Sequence, residues 1–304
     1  MSIEKSSKKV EQLLKYNTVK EFYKSFFYVS RSDATKEKNL YALERFCKVV
    51  GKNPDEIVKE CKEKGKEYAT KLLRDFLFHL SEKGASPKTQ DTYLHAIKSF
   101  FNANFIETNK VNRPRSYTMT IDRAPTKDEI RNAIIASSIE GRALISFLAV
   151  TGCRIGEALK VEKNDLELEN RRVKIRPEIA KDRVGRYVFL TPTAVSYLKA
   201  YLESRRDNDN RVFPFSKLKA WRLVMRGFRS STSVVKEHGR YALHPHSLRK
   251  FFFSVALLKL GREIAEIIMG HKRYLDASYL RVTVDVVQKE YEKIVPDLEE
   301  AIKV

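Results

Sequence analysis

Three short stretches in the second half of the chain collect residues able to cut a phosphodiester without metal: T-G-C-R ending at Arg154, H-P-H-S-L-R-K ending at Lys250, and M-G-H ending at His271, with Tyr274 and Tyr279 close behind. Two guanidiniums, planar and permanently charged, can clamp the non-bridging oxygens of a phosphate while charge builds in the transition state, and Arg154 and Arg249 are the candidates. His246 and His271 add two imidazoles to that cationic setting. A phenol, with an ordinary pKa of about 10, needs such cationic surroundings to act as a nucleophile. Tyr279 is the first candidate for that role and Tyr274 the second, because it lies closer to His271. Tyr291 shares one helical face with Val284, Val287 and Ile294, which favours a core or docking role instead.

Local pattern suggests how these groups are held. Arg154 precedes the apolar positions Ile155, Ala158 and Leu159, as at the first turn of a helix, where free N–H groups and the helix dipole favour an anion. His246 and Arg249 are three apart after Pro245, so a helix starting there sends both from one face toward a shared ligand. Residues 171–177 and Tyr187 to Leu190 read as two strands around a turn at residues 182–185, with Lys181 beside it.

Taken together and in this order, the motifs resemble those of the tyrosine recombinases, the integrase and Xer class of site-specific DNA recombinases. T-G-C-R-I-G-E-A-L resembles the first arginine box, which implies that Arg154 binds phosphate and that Glu157 buttresses it. K-D-R-V-G-R-Y-V-F-L-T resembles the β-hairpin lysine segment, implying Lys181 as the general acid for the leaving 5′ oxygen. H-S-L-R-K resembles the second box, with His246 as acid/base partner and Arg249 as second phosphate clamp. I-I-M-G-H implies His271 as a phosphate hydrogen-bond donor, and D-A-S-Y-L-R implies Tyr279 as nucleophile. The resemblance departs from many members in two places. His271 and Tyr279 are eight positions apart where nine is common, and Lys250 stands where bacterial members place a histidine. The shorter spacing and the S-Y-L-R context are similar to archaeal and archaeal mobile-element members.

The function so implied is metal-independent cleavage and rejoining of duplex DNA through a 3′-phosphotyrosyl intermediate, in integration, excision or Xer-like resolution. A type IB topoisomerase-like relaxing activity and a catalytically inactive DNA-binding protein of the same fold are the alternatives. His244-Pro245-His246 also reads as a metal-ligand pair, but no Cys-x-x-Cys or His-Glu-x-x-His spacing accompanies it, so neither metal nor cofactor is expected. The implied partners are double-stranded DNA bearing a specific site, further copies of the chain in a tetramer on two such sites, and accessory proteins.

Composition points the same way. With 59 Lys and Arg against 39 Asp and Glu, the net charge is +20, which suits a polyanionic partner bound with counterion release. Cys47, Cys61 and Cys153 are too few and scattered for a disulfide framework, as expected in a reducing cytoplasm. No apolar run reaches membrane-spanning length and no signal core opens the chain, so a cytoplasmic, nucleoid-associated protein is expected.

The elements that must position the site are mainly α-helical. In the first third, Leu40, Leu43, Phe46, Cys47 and Val50 form a stripe stopped at Gly51, and Asn53-Pro54 opens the next helix. Residues 68–83 stop at Gly84, and Ser86-Pro87 restarts a helix carrying Tyr93, Ile97, Phe100 and Phe101. Residues 1–112 are thus expected to form a helical bundle, which the resemblance implies to be the SAM-like core-binding domain. Residues 113–125 read as a basic interdomain linker and 126–304 as a mostly helical catalytic domain with a small antiparallel sheet and a helical tail. Thr126 to Glu129 forms its opening cap, and Trp221 and Phe228 are expected in its core, with Arg222, Arg226 and Arg229 available to phosphates. The tail after Tyr279 is expected either to dock on a neighbouring protomer or to close the chain's own core.

Overall fold

The computed structural model describes residues 12–29, 33–112, 122–181, 183–231, 236–237, 240–271 and 283–304. Both Tyr274 and Tyr279 lie outside these described residues. The chain divides into two compact units, Met1–Thr118 and Met119–Val304.

The first unit is built from α1 (Asn17–Val29), α2 (Asp33–Val50), α3 (Pro54–Glu82) and α4 (Pro87–Ala103). Their boundaries follow side-chain chemistry. Asn53 accepts the Glu56 N–H while the Glu56 carboxylate accepts the Asn53 N–H, and Pro54 needs no partner for a missing donor. Ser86 caps α4 by accepting the Thr89 N–H. The apolar stripe of α2 is buried at Leu40, Leu43 and Phe46, and Phe46 meets Phe76 edge-on at 5.2 Å. One feature has no clear periodic signature: α3 breaks at Gly65, whose φ of 80° and ψ of −176° interrupt the helix.

The second unit is organised around α6 (Ile139–Thr151), which is apolar on every side and buried from Ala143 to Thr151, so it must lie centrally. Around it pack α5 (Lys127–Ile135), α8 (Pro192–Ser204), α9 (Lys217–Ser231) and α10 (Pro245–Leu260). Thr126 and Glu129 form the expected capping box at the start of α5. A short turn of helix, α7 (Ile155–Ala158), leads to the sheet β1 (Leu166–Glu167), β2 (Arg172–Ile175) and β3 (Arg186–Phe189), antiparallel in that order. A second strand pair, β4 (Lys236–Glu237) and β5 (Arg240–Tyr241), precedes α10. Then come α11 (Arg262–Met269), α12 (Val284–Glu292) and α13 (Val295–Ile302).

Two expectations are resolved by packing. Phe228 is fully buried, but Trp221 is not core: it is 37% exposed and lies 6.3 Å from the Tyr241 ring. Its position on α9 falls between the buried Ala220 and the exposed Arg222, at the edge of the stripe defined by Ala220, Val224 and Phe228. The tail closes its own unit's core. Tyr291, Ile294, Leu298, Ala301 and Ile302 are buried, the Lys127 ammonium reaches Asp297 at 2.9 Å and Glu300 at 2.6 Å, and the Thr193 N–H donates to Glu299 at 2.9 Å.

Candidate active site

Arg154 sits where α6 has ended and α7 has not begun. Gly152 closes α6 in the left-handed region at φ 63°, and a Cβ there would stand 2.4 Å from the Phe252 ring, so the turn that aims Arg154 requires glycine. The helix that follows is a single turn, and one of the N–H groups at its start is taken: the Arg154 N–H donates to Glu157 Oε2 at 3.2 Å. Arg154 Nη1 donates to Glu157 Oε1 at 2.9 Å, and Arg186 Nη2 donates to Oε2 at 2.8 Å. Burial works against the Glu157 charge, yet Arg186 and then Arg154 outweigh it and hold the carboxyl at about 2. The same carboxylate receives the Lys181 backbone N–H at 3.4 Å, which ties the β2–β3 connection to the arginine pair. Lys181 itself is exposed in that connection.

Arg249 projects inward from α10 and is only 3% exposed. Its guanidinium donates to the Gly152 carbonyl, to the Met269 carbonyl at 2.9 Å, and to His271 Nε2 at 3.2 Å. Burial first, then the charge of Arg154, pulls its pKa down to about 10, which leaves it cationic at neutrality and shows the two guanidiniums to be electrostatic neighbours. His271 follows Gly270, the left-handed cap of α11, and its N–H returns to the Glu266 carbonyl at 3.1 Å. The ring is held from both sides, with Nδ1 on the Glu266 carboxylate and Nε2 facing Arg249. An arginine only donates, so Nε2 accepts here and the ring proton resides on Nδ1.

His246 occupies the first turn of α10, exposed to solvent, three residues before the buried Arg249. Partial burial, followed by the charge of Arg249, lowers its pKa, so the neutral imidazole that can accept a proton persists below the usual range. Lys250 is turned elsewhere: its ammonium binds the Asp122 carbonyl at 2.7 Å and carboxylate at 2.9 Å. Among the described residues Arg154 is joined to Glu157 and Arg186, Arg249 is joined to His271, and the two groups meet at the adjacent Ile268 and Met269 carbonyls, with Lys181 tied to Glu157 through its backbone and His246 on the first turn of the helix that carries Arg249. Tyr291 is excluded as a nucleophile, because it is fully buried, its hydroxyl donates to the Val150 carbonyl at 3.0 Å, and burial raises its pKa well above the ordinary value.

Sequence reasoning gave no site role to three participants. Arg186, which stands at the family's offset from Lys181, is 8% exposed and bridges Glu157 to the Ile268 carbonyl at 3.0 Å. Its signal was available, since an arginine that alternates inward on a strand with Val188 must find a buried partner. Glu266, one turn and a cap before His271, is the second, and Asp122, which has no local signal, is the third. Gly270 completes the arrangement, for a Cβ there would stand 2.7 Å from the Arg186 guanidinium.

Comparison with known proteins agrees with this geometry. The Phage integrase family matches residues 126–279, half of the chain. Tyrosine recombinase XerD of Staphylococcus saprophyticus subsp. saprophyticus is 24% identical over 251 residues, covering 74% of this chain and 82% of the relative. Tyrosine recombinase XerA of Thermococcus kodakarensis is 26% identical over 229 residues, covering 72% and 79%. In structure, a lambda integrase tetramer bound to a Holliday junction superposes with a TM-score of 0.62 at 17% identity, over 88% of this chain and 79% of the integrase, which shows a shared fold. The chain therefore belongs to the phage integrase family and is a site-specific tyrosine recombinase.

Proposed function

We infer that the chain cleaves duplex DNA with Tyr279 and rejoins it to a partner strand, using Arg154 and Arg249 as the phosphate clamp. The observation that carries this reading is the buried Arg249 guanidinium, fixed by the Gly152 and Met269 carbonyls beside Arg154 and His271. A cation held so rigidly in the protein interior stabilises charge that develops on an equatorial phosphate oxygen with little reorganisation. In the forward step the Tyr279 oxygen attacks phosphorus, His246 takes the phenolic proton, the bond to the 5′ oxygen breaks, and Lys181 protonates that leaving oxygen. His271, oriented by Glu266 at Nδ1, donates to the phosphate when Nε2 carries a proton. The 5′-hydroxyl of a partner strand then displaces tyrosine by the reverse sequence, with the phosphotyrosyl bond conserving the energy for rejoining. The +20 charge supports a duplex DNA partner. A tetramer on two sites is the assembly that exchanging two pairs of strands needs. Residues 1–112 would serve as the core-binding domain and 113–125 as the linker to the catalytic domain 126–304. The site of action is the nucleoid in the cytoplasm.

The test uses a nicked suicide substrate bearing a site selected by binding from random duplex DNA, with EDTA and no added metal. A covalent protein–DNA band that survives EDTA and is abolished by Tyr279→Phe but not by Tyr274→Phe is expected. Loss with Tyr274→Phe instead would move the nucleophile, and no band from wild type on DNA it binds would leave only a binding protein. Relaxation of supercoiled DNA without such a site would favour the topoisomerase-like alternative.

A further inference from the structure

The start of α10 is capped in an unusual way. The N-cap position, where a short oxygen side chain normally accepts the helix's first free N–H groups, is His244, and its Nδ1 accepts the backbone N–H of His246 at 3.2 Å. An imidazole can do this only with Nδ1 unprotonated, so in the neutral ring the proton is on Nε2. That nitrogen faces Asp122 Oδ1 at 3.2 Å in a charge contact rather than a hydrogen bond, since the buried Oδ1 accepts none among the described residues, while Asp122 Oδ2 is held by the Lys250 ammonium at 2.9 Å. The His244 and His246 imidazoles lie nearly parallel, 10° apart in plane with centroids separated by 6.2 Å. The Ser247 hydroxyl accepts the His244 N–H at 3.1 Å and closes the capping box.

We propose that Asp122 and His244 are positioning residues for the recombination chemistry: the Asp122 charge favours the proton on His244 Nε2, which leaves Nδ1 free to accept the His246 N–H, and His244 in turn fixes the backbone of His246. The reasoning rests on His246 as the proton acceptor of the proposed reaction. A serine or threonine cap would satisfy the same N–H but would not reach Asp122. The histidine thus links the segment that enters the second unit, through Asp122, to an imidazole on the first turn of the helix that also carries Arg249. Lys250 serves this arrangement by neutralising the second oxygen of Asp122, which gives it a role outside the phosphate network. Burial opposes the Asp122 charge, but Lys250 and His244 prevail and keep the carboxyl ionised.

The variants His244→Ala, His244→Asn and Asp122→Ala of the full chain provide the test. Asparagine offers an acceptor for the cap and an N–H for Asp122, so it should rescue what alanine loses. Under single-turnover conditions at saturating protein, His244→Ala is expected to cleave the suicide substrate about tenfold more slowly with unchanged half-saturation, and His244→Asn within about threefold of wild type. Asp122→Ala should slow cleavage in the His244 background and add little in the His244→Ala background. Amide hydrogen exchange, measured without DNA, should show the His246 N–H deprotected in His244→Ala and protected in His244→Asn. Wild-type cleavage rates for His244→Ala, additive losses in the double variant, or an asparagine variant as slow as alanine would each overturn the proposal. If wild type itself gives no covalent band, the cleavage reading fails, and unchanged His246 exchange in His244→Ala separately refutes the cap.

Discussion

Replacing Glu157 with glutamine tests whether a single buried carboxylate organises the arginines. The side chain is 2% exposed, accepts from Arg154 at 2.9 Å and Arg186 at 2.8 Å, and has its pKa held at about 2 rather than 4.5. At ~1.4 kcal/mol for each tenfold change in proton affinity, that difference amounts to ~3 kcal/mol, which agrees with the ~3–5 kcal/mol lost when one member of a buried ion pair is removed. The sign follows from the depressed folded value. The contribution is complete above the unfolded pKa of 4.5 and disappears as pH falls toward 2, so the gap between wild type and Glu157→Gln should be widest near neutrality and shrink below pH 4.5. Trp221 is the only tryptophan and belongs to the second unit, so urea unfolding followed by its fluorescence reports on the unit that holds Glu157. Cleavage should fall further than stability explains, because Arg154 loses its fixed partner. A variant within about 0.5 kcal/mol of wild type at pH 7, or a gap that does not change between pH 7 and pH 3.5, would refute the reasoning.

Three further outcomes are expected. Gly270→Ala forces a left-handed backbone on alanine and a Cβ against the Arg186 guanidinium, and should cost ~1–3 kcal/mol in urea unfolding while reducing covalent complex formation more than Val295→Ala, a change remote in sequence from the site motifs. Tyr291→Phe removes the hydrogen bond to Val150 and should lose ~1 kcal/mol of stability yet still form the covalent complex, and a stable variant unable to form it would contradict the assignment of Tyr291 to the core. Because the His246 pKa is lowered from 6.5, single-turnover cleavage should lose its neutral base only as pH falls through a value below 6.5. An acidic limb centred above 6.5, or one that persists unchanged in His246→Gln, would show that another group is responsible.

Much of the local architecture was legible because it depends on neighbours in sequence. Asn53-Pro54, Ser86-Pro87 and Thr126 with Glu129 announced helix starts through caps that close within three residues, and Gly51 and Gly84 announced stops. Period two around Lys181 exposed a hairpin, and the period of Val287, Tyr291 and Ile294 separated a core tyrosine from candidate nucleophiles. Trp221 escaped this reasoning because a residue at the edge of an apolar stripe is decided by what packs there, and beside α9 that neighbour is Tyr241.

The sequence by itself determined the chemistry on offer: two arginines, two histidines, a lysine and tyrosines in an order that a family shares, on a chain whose charge suits DNA. Only the tertiary structure decided how the charges are shared. Glu157 divides its oxygens between Arg154 and Arg186, Glu266 fixes the His271 ring, Asp122 draws Lys250 and His244 together, and the tail folds onto its own unit. Most of these partners are distant along the chain, up to 173 positions for Lys127 and Glu300, and ion pairs have no sequence period. Their pairing is set by which groups the packed core brings out of water together, where an unpaired charge would be costly.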